Sequence, residues 1–192
     1  MRTMHVEAPA MTAAEFLRLP PWPDGPRLEL VEGEVVVHAP LSLHQLIVFE
    51  IQYRLETWCR ERRERGRTWM PLDVQIDDLN VYNPDLMWYR AGRGPEPYER
   101  PSPFPDLAVE VRSPSTWRYD TGAKKSAYER RGLRELWLVD TANEVLLVFR
   151  RSTADAASFD VALEVGRGQA LKSPLLLDFA LKVDALFDSV HR

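Results

Sequence analysis

The chain of 192 residues contains a single cysteine, Cys59, and this scarcity excludes two kinds of architecture. One thiol cannot build an internal disulfide framework or a zinc site made from several cysteines. Long apolar runs are also absent, because none approaches the roughly 18 residues that suggest a membrane-spanning helix. The N-terminal segment lacks the apolar core of a signal peptide. We therefore expect a cytoplasmic protein that does not enter a membrane.

An excess of positive charge is missing as well, since the formal net charge is −4 at pH 7. Proteins that bind nucleic acid through bulk attraction are usually basic, so contact with DNA would need a local patch. The densest basic run consists of Arg60, Arg62, Arg63, Arg65 and Arg67. These side chains could contact phosphates. Cations near the C-terminal end of a helix also complement its dipole, and the pattern favours this second interpretation.

The composition is otherwise that of an ordinary globular protein, with 45% hydrophobic and 28% charged residues. A chain of this length can bury a substantial core. We expect a flexible N-terminal tail over residues 1–11 and one domain over residues 12–192.

Two capping-box patterns predict where helices begin, because each places Glu or Gln three residues after Ser or Thr. The first, Thr12-Ala-Ala-Glu15, predicts a short helix to about Leu19. The second, Ser42-Leu-His-Gln45, predicts the longest helix, which should end near Arg65. Apolar residues recur along it at helical spacing and should face the core: Leu43, Leu46, Ile47, Ile51, Leu55 and Trp58.

Strand patterns dominate the rest of the chain. The segment 27–37 is typical of a hairpin that turns near Glu32-Gly33. The later elements are predicted as strands over 69–76, 85–89 and 106–112, a helix over 120–131, strands over 135–140, 145–150 and 159–164, and a strand with a helix within 175–187. The central order of helix, three strands, helix and strand predicts an α/β fold with a mixed sheet flanked by helices.

The strand predicted over 106–112 carries a carboxylate, Glu110, in an apolar setting. Alternation places Leu107, Val109 and Val111 on one face and Asp106, Ala108, Glu110 and Arg112 on the other. A buried ionised carboxylate is costly unless something pairs with it. If Asp85 lies beside Glu110, the two carboxylates with a backbone carbonyl and waters would suit Mg²⁺. An equally good explanation is that Glu110 pairs with Arg112 or another arginine.

These residues carry a resemblance to a known group of enzymes. Pro84-Asp85, followed by Glu110-Val111-Arg112 on the next strand, resembles the PD-(D/E)XK nuclease superfamily. More specifically, most of residues 12–187 resemble the Uma-two family of restriction endonucleases. The matching segments are RLELVEGE at 27–34, His44-Gln45, Pro84-Asp85-Leu86, EVRSPST at 110–116, Asp120, Lys124, Tyr128 and ELWLVD at 135–140.

The resemblance implies a restriction-endonuclease-like core, in the order helix-strand-strand-strand-helix-strand, with extra terminal strands. It also implies a Mg²⁺-dependent endonuclease that hydrolyses phosphodiester bonds in DNA. In such an enzyme Asp85, Glu110 and the carbonyl group of Val111 would hold the metal. Many nucleases of this kind cut as dimers, because two strands require two active sites, and we therefore expect a homodimer.

The chain has two Pro-Asp pairs, and the resemblance selects Pro84-Asp85 for the site. Asp106, in the other pair, precedes Glu110 by four residues on the same strand. That separation is roughly 13 Å, too far for both carboxylates to bind one ion. We expect Asp106 to be a structural residue at the start of its strand.

Arg112 departs from the superfamily pattern, which has lysine at this position. Arginine stays protonated and cannot act as a base near neutral pH, although it could stabilise charge on a phosphate. The resemblance offers Lys124, one turn into the following helix, as a substitute that orients water or stabilises the transition state. The alternative is that Lys124 and Lys125 are solvated surface charges.

His44 and Glu29 are secondary candidates. His44, in the first turn of the long helix, could orient substrate or accept a proton, or it could only make local hydrogen bonds. Glu29, in the hairpin, could be a further metal or water ligand, although such a residue is more often solvated.

Other chemistries find little support in the sequence. Ser113 and Ser115 lack the Gly-x-Ser-x-Gly setting of a serine hydrolase, and no glycine-rich phosphate loop is present. Two rivals to an endonuclease stay open. One is a binding or assembly module with a degenerate catalytic set, favoured by Arg112 and the acidic balance. The other is a metal-dependent hydrolase of small phosphoesters.

Overall fold

The computed structural model describes residues 10–20, 26–114 and 116–191. Residues 1–9 of the expected tail lie outside these ranges, as does Ser115 of the segment that carries the resemblance.

Most of the expected helices and strands are present within a few residues of their predicted bounds. The helices are α1 (Ala13–Arg18), α2 (Ser42–Glu61), α3 (Trp117–Tyr119), α4 (Lys125–Arg131) and α5 (Val183–Asp188), with a π-helical turn, Asp120–Lys124, between α3 and α4 and single 3-10 turns at Arg63–Arg65 and Ser189–His191. The strands are β1 (Arg27–Val31), β2 (Glu34–His38), β3 (Arg67–Trp69), β4 (Val74–Asp77), β5 (Asn80–Tyr82), β6 (Leu86–Tyr89), β7 (Leu107–Val111), β8 (Glu135–Asp140), β9 (Val145–Arg150), β10 (Val161–Val165), β11 (Ala170–Leu171) and β12 (Leu181–Lys182).

A six-stranded mixed sheet, in the order β10-β9-β8-β7-β6-β3, forms the centre of the molecule. β7 and β8 run parallel, and the other neighbouring strands are antiparallel. Helices α2 and α5 cover the face that carries Leu107, Val109 and Val111, whereas α4 covers the face that carries Ala108. The predicted alternation along β7 is therefore confirmed, and so is the mixed sheet flanked by helices.

The single strand predicted over residues 69–76 is wrong. Its residues belong partly to β3, in the central sheet, and partly to β4, in a second sheet ordered β2-β1-β5-β4. Pro71 lies between the two strands. Because proline cannot donate a backbone hydrogen bond, it ends the pairing of β3 with β6 and the chain passes to the second sheet.

The second sheet brings the N-terminal hairpin to the central sheet. β1 pairs with β2 along its whole length, and Glu32 and Gly33 form the turn with φ values of 52° and 80°. Left-handed values at both positions are those of the tight turns that suit hairpin twist. β1 also pairs with β5, which leads through Asn83-Pro84 into β6. Residues at the open end of the hairpin therefore lie near the start of β6.

The long helix α2 corrects two expectations. Its N-cap residue is Leu41, which makes no side-chain cap bond, so Ser42 does not open a capping box. Leu43 and Leu46 are 39% and 48% exposed, because only the stripe centred on Ile47 and Ile51 faces the central sheet. At α1, in contrast, the capping box of Thr12 and Glu15 is present as predicted.

Candidate active site

Three carboxylates meet the ammonium group of Lys124 inside the protein. Lys124 Nζ lies 2.8 Å from Glu110 Oε1 and 3.1 Å from both carboxylate oxygens of Glu29. It also lies 3.1 Å from Asp120 Oδ1. Lys124 is only 1% exposed, and all three carboxylates are buried. We call these four residues the Lys124 cluster. The interpretation of Lys124 as a solvated surface charge is therefore wrong.

The local structure of each element explains how the cluster forms. Alternation along β7 points Glu110 to the face covered by α4. The π-helical turn between α3 and α4 contains both Asp120 and Lys124, and it directs them to the same side as an i, i+4 pair. Such π-helical turns are rare in proteins overall, but those that occur are often found at functional sites. The hairpin supplies Glu29 from β1, 95 residues away from Lys124 in the chain.

Asp85 lies directly beside this cluster. β6 and β7 pair with Leu86 opposite Val109, so one more step in the register places Asp85 opposite Glu110. The backbone N–H of Val111 donates to Asp85 Oδ2 at 2.8 Å. The structure thus places Asp85, immediately before β6, beside Glu110 on β7, which is the arrangement that the sequence analysis gave as a condition for a shared ion.

Two further side chains hold the Asp85 carboxylate. Arg27, at the open end of the hairpin, donates from its terminal amino group to Oδ1 at 2.6 Å. His44 Nε2 lies 2.9 Å from Oδ2. His44 is buried in the first turn of α2, so it reaches across the fold instead of making only local contacts. Both residues hold the orientation of Asp85.

Glu29 is a buried residue and not the solvated strand glutamate that was the more common alternative. His38 Nε2 lies 2.5 Å from Glu29 Oε2, and the backbone N–H of Asn83 donates to Oε1 at 2.5 Å. Glu29 therefore joins the hairpin to the segment before β6 as well as to Lys124. Sequence reasoning missed His38, although its place across the hairpin from Arg27 was a usable signal.

Glu110 has a second partner besides Lys124. The hydroxyl group of Tyr128, on α4, donates to Glu110 Oε1 at 2.8 Å. The ring of Tyr82 lies against Lys124, with its centroid 5.4 Å from Nζ. The explanation that Glu110 pairs with Arg112 or another arginine is not what the structure shows.

Electrostatics divides the carboxyl groups into two kinds. Burial alone would raise the pKa of Glu29, but the charge of Lys124 and the hydrogen bond from His38 outweigh burial and lower that pKa to about 2. Burial likewise opposes ionisation of Asp85. The hydrogen bond from His44 and the charge of Arg27 nevertheless hold the pKa of Asp85 well below its ordinary value. Glu29 and Asp85 are ionised at neutral pH.

Glu110 and Asp120 behave in the opposite way. Burial raises the pKa of Glu110 well above its ordinary value, and the charge of Lys124 does not compensate, because Asp120 and other carboxylates add repulsion. The pKa of Asp120 is raised mainly by burial too. Burial alone would lower the pKa of Lys124, but the carboxylates around it raise that pKa well above its ordinary value. The lysine therefore stays protonated.

The site as a whole is short of positive charge. Four carboxyl groups, on Glu29, Asp85, Glu110 and Asp120, face two permanent cations, Lys124 and Arg27. Within the described ranges, Asp120 Oδ1 is buried and has the ammonium group of Lys124 at 3.1 Å, in an ion pair without good hydrogen-bond geometry. A buried excess of carboxylates is favourable for a further cation.

The donor chemistry suits a hard divalent ion. Carboxylate and carbonyl oxygens are the ligands that Mg²⁺ prefers, and Mg²⁺ usually keeps several waters. In the part of the chain that the structure describes, no group of three or more His, Cys, Asp or Glu side chains is arranged as a metal site.

Arg112 points elsewhere. Its guanidinium donates to Asp140 Oδ1 at 2.7 Å and lies over the ring of Trp117. The side chain is 33% exposed. The structure therefore does not bring Arg112 to the Lys124 cluster, and it leaves Lys124 as the lysine next to Glu110. In the basic run at the C-terminal end of α2, Arg60 forms an ion pair with Glu56 and Arg65 forms one with Glu61.

Comparisons with known proteins agree with this architecture. The model of the Uma2 family, described as "Putative restriction endonuclease", matches residues 13–184. A crystal structure of a "putative nuclease belonging to DUF820" from Anabaena variabilis ATCC 29413 is similar over 94% of this chain and 99% of that chain, with a TM-score of 0.75 and 19% identity. The curated proteins contain no match. The restriction-endonuclease-like fold expected from the sequence is therefore confirmed.

Proposed function

We propose that this chain, which belongs to the Uma2 family, is a Mg²⁺-dependent endonuclease that hydrolyses phosphodiester bonds in DNA. One observation carries the proposal. Lys124, fully buried, contacts Glu110 at 2.8 Å, while Asp85 lies beside Glu110 across the strand pair. This is the set of two carboxylates and one lysine that the superfamily pattern requires, with the lysine supplied from a helix.

We assign the metal to Asp85, Glu110 and the carbonyl of Val111. When bound there, a divalent ion would polarise the scissile phosphate and lower the pKa of a bound water. Asp85 is prepared for this role because its pKa is already low and its orientation is held by Arg27 and His44. Glu110 is the ligand that gains most from an ion, since its ionised form lacks compensation in the protein alone.

Lys124 acts in its protonated state. The surrounding carboxylates raise its pKa, so it does not remove a proton from water. Its ammonium group instead donates hydrogen bonds and stabilises negative charge that develops on the phosphate. Glu29 is a positioning residue in this scheme, because it fixes the ammonium group while His38 and the Asn83 amide fix Glu29.

We further propose that the active species is a homodimer in the cytoplasm. Cutting both strands of a duplex requires two sites, and closed twofold dimers are the commonest soluble assemblies. In the described part of the chain, no helix is long and apolar enough to cross a membrane.

One rival keeps specific support. The Lys124 cluster is closed by its own ion pairs, and the lysine of the usual motif is replaced by Arg112, so the fold could serve as a binding module without catalysis. This rival predicts no saturable binding of a divalent ion.

Calorimetric titration with Mn²⁺ and Mg²⁺ tests the proposal. The wild-type protein should bind with saturation, Glu110→Gln and Asp85→Asn should lose binding, and Asp106→Asn should keep it. Nicking of supercoiled plasmid DNA and hydrolysis of a generic phosphoester then separate an endonuclease from a small-ester hydrolase. Absence of metal binding by the wild type, with and without DNA, together with intact plasmid would sink the endonuclease proposal.

A further inference from the structure

A cavity of about 640 Å³ lies beside the candidate site. Its apolar walls come from Phe16, Leu19, Leu28 and the two prolines Pro20 and Pro26. Volumes of roughly 300–1,000 Å³ are typical of sites for small organic groups. The cavity opens to the outside, so a group can enter it from solvent.

Two residues join the cavity to the active site. Arg27 lines the cavity and donates to Asp85, and Asn83 lines it while its backbone N–H donates to Glu29. The side chains of the Lys124 cluster are buried, so they offer little surface of their own. A group held in the cavity would therefore lie next to the carboxylates through Arg27 and Asn83.

The chemistry of the walls selects the kind of ligand. Among the described residues that line the cavity, Asp73 is the acidic one; it forms an ion pair with Arg100 at 2.5 Å and accepts a hydrogen bond from the side-chain amide of Asn83 at 2.7 Å. Arg27 differs, because its Nε is buried and has no hydrogen-bond partner among the described residues. The cavity thus combines apolar walls with the guanidinium of Arg27, which is bound on one side to Asp85 at the edge of the active site.

We propose that this cavity binds one unstacked nucleobase of the nucleic acid, from a nucleotide next to the bond that is cut, with a phosphate of that nucleotide facing Arg27. A base has an apolar face that fits such walls, and its phosphate matches a guanidinium. Bases in a duplex are stacked and paired, so only a single-stranded or flipped nucleotide can enter. The inference rests on the proposed function and deepens it, because it assigns a preference for single-stranded or opened DNA.

The test measures binding separately from cleavage. A single-stranded oligodeoxynucleotide with an end label and one 2-aminopurine is titrated with the full chain in EDTA, and a duplex of the same sequence is the reference. Leu28→Trp fills the cavity from β1, and Pro26→Trp fills it from an exposed position outside the strand. Leu163→Trp, on β10 and away from the cavity lining, is the matched control. Thermal melts show that each variant is folded.

The wild type should bind the single strand more tightly than the duplex, with a change in 2-aminopurine fluorescence. Both cavity-filling variants should weaken single-strand affinity at least about tenfold, the order of one lost stacking contact, and Leu163→Trp should not. Equal affinity of all variants, or no single-strand binding by the wild type, overturns the inference. Plasmid cleavage that survives in Leu28→Trp and Pro26→Trp also overturns it and leaves the endonuclease intact. If the wild type binds the single strand but does not cleave DNA with any divalent metal, the endonuclease proposal is contradicted, whereas the assignment of the cavity as a binding site is supported.

Discussion

The two ends of strand β7 carry buried carboxylates in opposite electrostatic settings. At its start, Asp106 accepts hydrogen bonds from the backbone and side chain of Arg90 and from Arg93. Both arginines are about half exposed and fold over a single carboxylate. At the other end, Glu110 shares one buried lysine with two further carboxylates. Cations are in excess at the first end and scarce at the second.

This difference shows why burial of a carboxylate does not by itself mark a functional site. Asp106 is as deeply buried as Glu110, yet its partners satisfy it fully and reach it from the surface. The feature that distinguishes the Lys124 cluster is the ratio of carboxylates to cations, because an unfilled demand for positive charge favours a ligand.

The largest effect should come from removing the cation at each end. Lys124→Met leaves three buried carboxylates without their common partner and should lower the free energy of unfolding by about 3–5 kcal/mol, with loss of cleavage. Arg93→Met leaves Arg90 on Asp106, and the lost contact is half exposed, so about 1 kcal/mol is expected. Urea denaturation at pH 7 measures both. Equal losses would remove the distinction between the two ends.

Replacing each carboxylate by its amide should affect stability in the opposite order, with a larger loss at Asp106 than at Glu110. Glu110→Gln removes a charge that the protein does not compensate, so the free energy of unfolding should stay within about 1 kcal/mol of wild type, while cleavage falls by about 10² or more. Asp106→Asn should keep cleavage and lose about 1–3 kcal/mol, because Arg90 and Arg93 lose a charged acceptor. Denaturation curves and plasmid nicking rates give the two readouts. A strongly destabilised Glu110→Gln with normal nicking would contradict the assignment.

Much of the β7 region could be predicted from sequence because it depends on local rules. Alternation alone placed Glu110 on the face opposite Val109, and the spacing along one strand separated Asp106 from the site. The choice of Lys124 required the resemblance, since a lysine on a helix is usually solvated. Its burial follows from long-range contacts with Glu29 and Glu110 that no local pattern contains.

The missed features share a physical cause, which is tertiary context. Pro71 splits the predicted strand over 69–76 because the chain changes sheet there. Leu46 fits the apolar periodicity of α2 but faces away from the central sheet. His38 reaches Glu29 only after the hairpin folds, and the π-helical turn that aligns Asp120 with Lys124 has no sequence signature that we could use.

A divalent ion should stabilise the protein only through the end of β7 that carries Glu110, and the stabilisation should be larger at higher pH. The folded-state pKa values of Glu110 and Asp120 are raised, so their contribution to stability is present below the unfolded pKa and is lost as pH rises through the folded value. Without metal, stability should therefore decline from pH 5 towards pH 8. Glu29 and Asp85 have lowered values, and their contribution is lost only at more acidic pH.

Thermal melts in EDTA and in Mg²⁺ at pH 5, 6.5 and 8 test this expectation. Mg²⁺ at 100 times its dissociation constant should add about 2.7 kcal/mol at pH 8 and less at pH 5, where protons compete. Asp106→Asn should keep the effect, and Glu110→Gln should lose it. A metal effect that is independent of pH, or that survives in Glu110→Gln, would place the ion elsewhere.

The smallest effect is expected at Arg112, which occupies the position of the usual lysine but contacts Asp140. The pair is partly exposed, so Arg112→Ala should cost no more than about 1 kcal/mol of stability. If Lys124 has taken over the role of the motif lysine, the cleavage rate of Arg112→Ala should stay within about threefold of wild type. This corresponds to a change of less than about 0.7 kcal/mol in the activation free energy. Single-turnover nicking rates, with Arg118→Ala as the control, decide the matter. A loss of a hundredfold or more would return Arg112 to the active site. The Glu110 end of β7 would then have three cations, Lys124, Arg27 and Arg112, instead of two, and its contrast with the Asp106 end would be weaker.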